Sequence, residues 1–170
     1  MTSISFSFYM TRALAAAGDE VYNKFFHQFW TTWKEQLKYN LSTWAEDSIS
    51  VRSDCHAWGS VPIYEFLAEL AGIKPASPGW ATISFKPRLQ LVKHLDARVP
   101  IKTSDGPAII QVVWDHEDED ITGKTLVNVK LSVERENAEI AGDVSVLIVL
   151  PGQKEEMILL TTDREWQIQL

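Results

Sequence analysis

Between two stretches of helical periodicity the chain carries Leu41-Ser42-Thr43-Trp44-Ala45-Glu46 and then Arg52-Ser53-Asp54-Cys55-His56-Ala57-Trp58. This short region gathers carboxylates (Glu46, Asp47, Asp54), a cation (Arg52), an imidazole (His56) and two indoles (Trp44, Trp58). Carboxylates and imidazoles do acid–base work on a glycosidic bond, and flat indole faces hold the C–H faces of a sugar ring. Loops at the end of a rigid helical scaffold are also where binding groups gather. The same residue types equally make a solvated interhelical loop with tryptophans turned into a core. Spacing does not separate these readings, because a two-carboxylate mechanism needs a second acid that linear order does not supply.

The elements that must position this region come first in the chain. Phe6, Met10 and Leu14 form one apolar stripe, and Tyr22, Phe26, Trp30, Trp33 and Leu37 form another. This spacing predicts helices over 3–17 and 19–38, parted at Gly18, with Asp19 and Glu20 in the first turn of the second helix where its dipole favours them. A third helix is expected over 56–71, stopped by Gly72, with Pro62 either kinking it or opening its regular part. Arg12 interrupts the apolar opening and no basic run precedes it, so the segment reads as an amphipathic helix rather than a signal peptide.

The pattern changes at Lys74-Pro75-Ala76-Ser77-Pro78-Gly79, where two prolines and a glycine stop helical structure. Beyond it, short alternating runs predict strands at Thr82–Phe85, Gln90–Leu95, Ala108–Trp114, Thr125–Glu134, Val144–Leu150, Met157–Thr161 and Trp166–Leu170. Strands at this spacing without intervening helices read as an antiparallel sandwich. The expected class is α+β: a helical segment over 1–73, a Pro/Gly linker over 74–79 and a β-sandwich over 80–170.

Composition excludes several partners. A net charge of −7 and a pI near 5.1 argue against nucleic acid and anionic membranes, both of which need a positive face. The lone Cys55 forms no internal disulfide, which points to a cytoplasmic chain, and it reads as a small buried packing residue. His27 reads as a packed or partly exposed helix residue, and His94 and His116 as strand and turn residues. None of the four histidines has zinc-type spacing to a second ligand, so neither a metal nor a cofactor is expected. The acidic run Asp115-His116-Glu117-Asp118-Glu119-Asp120 lacks the glycine and terminal glutamate of a calcium loop and reads as a solvated hairpin tip.

The run Arg52-Ser53-Asp54-Cys55-His56-Ala57-Trp58, followed by Pro62-Ile63-Tyr64-Glu65-Phe66-Leu67, then Gly72-Ile73-Lys74-Pro75-Ala76 and Pro78-Gly79-Trp80, resembles the end of the catalytic barrel of bacterial and fungal α-L-rhamnosidases. The likeness continues through Ile83-Ser84-Phe85-Lys86-Pro87 to Leu150-Pro151. It implies the last helices of an (α/α)6 barrel followed by a C-terminal β-sandwich. It also implies inverting hydrolysis of terminal α-L-rhamnosides, in which one acid protonates the leaving oxygen and a second carboxylate activates water. The family's threonine-tryptophan-glutamate element matches Thr43-Trp44-Ala45-Glu46, which makes Glu46 the candidate base. By the same resemblance His56, Trp44, Trp58, Asp54 and Arg52 are candidate substrate-binding residues. The family's general acid lies on earlier helices with no counterpart in this sequence, so hydrolysis by the chain alone is expected to be very low.

Two other functions fit the sequence. One is a short form adopted for a different reaction, for example in a biosynthetic pathway, with Glu46 and His56 as its acid–base pair. The other is a module that binds carbohydrate or protein without cleaving anything. Phe6, Phe8, Tyr9, Phe25, Phe26, Phe29, Trp30 and Trp33 are too many for three helices to bury, so a homodimer, or association with another chain through the helical face, is expected.

Overall fold

A computed structural model describes residues 3–46, 53–103, 106–119, 121–135 and 143–170. The chain divides into two compact units, Met1–Glu65 and Phe66–Leu170.

The first unit opens with α1 (Ile4–Ala17), capped by the Ser3 hydroxyl, which accepts the Phe6 amide. Gly18 ends it and α2 (Asp19–Phe29) begins at once. The second expected helix is in fact two, because the backbone leaves helical geometry at Trp30 and resumes as α3 (Thr31–Lys38). Thr31 Oγ1 donates to Gln28 O across the break, where a β-branched hydroxyl competes well with a straight helix. Phe26, Trp30 and Trp33 lie buried around this bend and meet edge to face. Of the eight aromatics expected to outrun the core, these three are buried, whereas Phe6 and Tyr9 remain 55% and 58% exposed. An apolar pocket of about 340 Å³ lies between α1 and α2, lined by Met10, Leu14, Phe25 and Phe29 among others.

The third expected helix is compound. A 3-10 turn (Ala57–Ser60) leads into α4 (Val61–Tyr64), with Pro62 in its first turn where the missing N–H costs nothing, and then into wide π turns over Glu65–Leu70. Gly72, at φ +77°, stops it.

The second unit holds two four-stranded sheets. Their strands are β1 (Ile73–Pro75), β2 (Thr82–Phe85), β3 (His94–Thr103), β4 (Gly106–His116), β5 (Leu126–Arg135), β6 (Val144–Ile148), β7 (Glu156–Leu160) and β8 (Arg164–Gln169). One sheet runs β1-β2-β6-β7 and the other β3-β4-β5-β8. Both are antiparallel except at β2 and β6, which pair in parallel, a departure from the expected all-antiparallel order. The exception arises because the chain leaves the first sheet after β2, builds β3, β4 and β5, and only then returns. The core is formed by the alternating buried residues, including Ile83, Phe85, Ile110, Val112, Trp114, Val129, Leu131, Val146 and Ile168.

Two further differences share one cause. Residues 74–79 read as a linker, yet Lys74 and Pro75 belong to β1; the strand expected at Gln90–Leu95 is a 3-10 turn at Leu89–Leu91, and β3 starts at His94 and runs through Pro100. Proline reads as a strand breaker, but β1 and β3 are edge strands, where a residue without an N–H is tolerated.

Candidate functional site

The chemistry-bearing loop is held as a strap. The Glu46 amide donates to Ser53 O at 2.8 Å and the His56 amide to Trp44 O at 2.8 Å, while the Thr43 hydroxyl donates to Asp54 O. These bonds lay residues 43–46 against 53–56, so Trp44 and His56 lie side by side and Glu46 sits two residues farther along the chain. In sequence nine residues separate Glu46 from His56; the backbone pairing sets both on one short strap, Glu46 against Ser53 and His56 against Trp44. Arg52 and Asp47 lie outside the described residues.

Two buried side chains on one face of α3 hold this strap. Gln36 bonds both backbone groups of Ala45, accepting from its amide at 2.9 Å and donating to its carbonyl at 3.1 Å. Trp33 Nε1 donates to Gly59 O at 2.9 Å. Gly59 must be glycine, because a Cβ there would stand 2.2 Å from Trp44 Cβ. Trp44 is thus seated in the backbone notch at Gly59, with its ring half-buried.

The remaining residues part company. Asp54 is exposed at the strap's outer edge. His56 turns inward: its Nε2 is shut off from solvent and meets no hydrogen-bond partner among the described residues. Cys55, expected to be buried, is exposed. The backbone at His56 is extended, so Cys55 and His56 point to opposite sides. Trp58 leaves the strap altogether and packs on α1, its ring centroid 6.3 Å from Phe8 and 6.4 Å from Tyr9, at 45% exposure.

A second polar cluster, at Glu65, escaped the sequence reading. Glu65 is fully buried and accepts from Thr11 Oγ1 at 2.8 Å, from Tyr22 Oη at 2.6 Å and from the Arg12 guanidinium at 2.6 to 3.1 Å. Arg12 also stacks over Tyr64, 4.9 Å from its ring centre. Arg12 was the visible signal, since an arginine in an apolar helix needs an anion. Its partner lies 53 residues away, so no local pattern reveals it. With every carboxylate oxygen engaged by donors, Glu65 holds α1 and α2 to the end of α4 and is spoken for.

No protein-family model and no curated protein matches the sequence. Among solved structures the chain is similar to the GH78 family rhamnosidase of Bacillus sp. GL1, with a TM-score of 0.66 and 21% identity over 88% of this chain and 15% of that one. It is also similar to the native α-L-rhamnosidase of Aspergillus terreus, with a TM-score of 0.54 and 18% identity over 87% of this chain and 17% of that one. At these identities the likeness is one of fold, and the chain spans about a sixth of either protein's length.

Proposed function

We propose that this chain is a rhamnosidase-related unit, the end of a helical barrel with its following β-sandwich, and that its strap is the water-activating side of an inverting α-L-rhamnoside site. In this reading Glu46 is the base, His56 lines the sugar subsite and Trp44 forms an apolar wall. The observation that carries it is the paired backbone of the strap, which sets Trp44 against His56 and holds Glu46 on the same short segment. The proton donor comes from outside this sequence. Without one, general acid–base catalysis loses a factor of about 10²–10⁴.

Titration of the isotope-labelled chain with L-rhamnose tests the binding half. Amide shifts should move at residues 43–46 and 53–56 with about millimolar affinity. Shifts elsewhere, or none, would overturn the reading. An aryl α-L-rhamnoside should not be turned over by the chain alone; turnover abolished by Glu46→Gln would show that the acid lies within these residues after all.

A further inference from the structure

We propose that Gln36 is the positioning residue for the candidate base, setting the register of the strap from which Glu46 and His56 project. The chemical meaning of this inference rests on the function proposed above, but its geometry does not.

Gln36 lies on α3 with its side chain 1% exposed, and both ends of its amide meet one residue, Ala45. A primary amide carries a donor and an acceptor in the arrangement of a peptide group. The pair therefore copies a rung of a β-ladder, with a helix side chain standing in for the second strand. Ala45 is itself 1% exposed, so its N–H and C=O have no recourse to water. The two peptide groups that Gln36 grips are the ones joining Ala45 to Trp44 and to Glu46, and fixing them fixes the directions in which those two side chains leave the backbone.

A second grip makes the device specific to the strap. One turn before Gln36, Trp33 bonds Gly59 O, so α3 holds the loop at a point before Glu46 and at a point after His56. Between these anchors, among the described residues, the strap is crossed by two backbone bonds, Glu46 N to Ser53 O and His56 N to Trp44 O. If the Ala45 anchor slips by one residue, Trp44 and Glu46 both turn to the opposite face. Other residues fail at position 36 for distinct reasons. Methionine fills the space but orphans both Ala45 groups, and an ionised glutamate keeps the acceptor but loses the donor and buries a charge.

The test compares the parent chain with Gln36→Met and Gln36→Glu, using Leu37→Ser, on the exposed side of the same helix, as a control. Amide hydrogen exchange is read at Ala45, Glu46 and His56, well below the unfolding midpoint. In Gln36→Met these three amides should exchange at least about tenfold faster than in the parent, while α1 and α2 stay within about twofold. In Gln36→Glu the Ala45 amide should remain protected, because its acceptor survives, while Glu46 and His56 still speed up. That split is a signature a merely space-filling role does not produce. L-Rhamnose affinity should fall about tenfold in both variants and be unchanged in Leu37→Ser. Exchange at the three amides within about twofold of the parent in Gln36→Met, or uniform acceleration across α1, α2 and α3, would overturn the proposal. If Gln36→Met does not fold, Gln36→Glu decides on the same split. If the parent itself binds no L-rhamnose, the proposed function fails, and the exchange data still decide the role of Gln36.

Discussion

The two units solve the problem of burying polar groups in opposite ways. In the second unit, the buried charges Glu69 and Arg88 pair at 2.9 Å, and Lys74 joins Glu69 at 3.0 Å. Apart from Ser132 on β5, the rest of its buried core is aliphatic and aromatic, and it alternates cleanly in β4 from Ala108 to Trp114. The helical unit instead puts a carboxylate at its centre, bonded to residues 43 to 54 positions away, and leaves Phe6 and Tyr9 outside. A sheet core tolerates local substitution because many pairs share the work. A core organised on one anion concentrates its stability in a single residue.

The largest expected effect follows directly. Glu65→Ala leaves Arg12, Tyr22 and Thr11 without their acceptor, and breaking a buried ion pair by removing one partner costs about 3–5 kcal/mol. Denaturant unfolding should show early loss of helical signal while amides of β4 and β5 keep their protection. Simultaneous loss of both would erase the contrast between the units.

Gly72→Ala probes the other unit. The residue has φ +77°, and a Cβ would lie 2.2 Å from the Lys86 carbonyl, so the backbone must move. A cost of about 3 kcal/mol is expected, near the top of the usual range for one substitution, and it should appear in the sandwich transition. Trp58→Ala removes a half-exposed ring that rests on α1. It should cost about 1 kcal/mol of helical stability and leave the cross-strap amides unchanged, which separates the packing role of Trp58 from the strap.

The smallest effect is one of pH. Lys130 on β5 has its pKa raised, first by its hydrogen bond to Asp163 at 2.6 Å and then by the charges of Asp163 and Glu165. A raised lysine contributes stability that is fully present below its unfolded pKa and is lost as pH rises through the folded one. The loss should therefore appear only above about pH 10.4, in the sandwich alone, and Lys130→Met should abolish it with little change at neutral pH.

The sandwich was the more legible unit. Alternation located six of its strands, and the misreadings at β1 and β3 trace to Pro75 and Pro100, whose edge positions depend on strand order rather than on local sequence. In the helical unit periodicity found the helices but missed the bend at Trp30 and the π turns after Glu65. The residue types of the strap were evident, and motif resemblance singled out Glu46 and His56. What linear order hid was the support beneath them. Gln36 looks like any polar helix residue until Ala45 is seen against it, and Gly59 looks like a helix breaker until Trp44 occupies the space its missing side chain leaves.

The parallel pairing of β2 with β6 has a consequence for the order of assembly. Thr82 is matched with Ser145 and Phe85 with Ile148, so about sixty residues must be gathered before the first rung can form. The partners β3, β4 and β5 are sequential neighbours and need only short closures. Because closing a long loop is entropically dearer and slower than closing short ones, the three-stranded meander should exist before the other sheet does. Until β6 arrives, β2 has only the three-residue β1 beside it and an open edge of unpaired backbone on its other side. During synthesis that edge stays uncovered until the ribosome has released Ile148, which makes the β2 edge the place where a nascent chain is most exposed to pairing with the wrong strand.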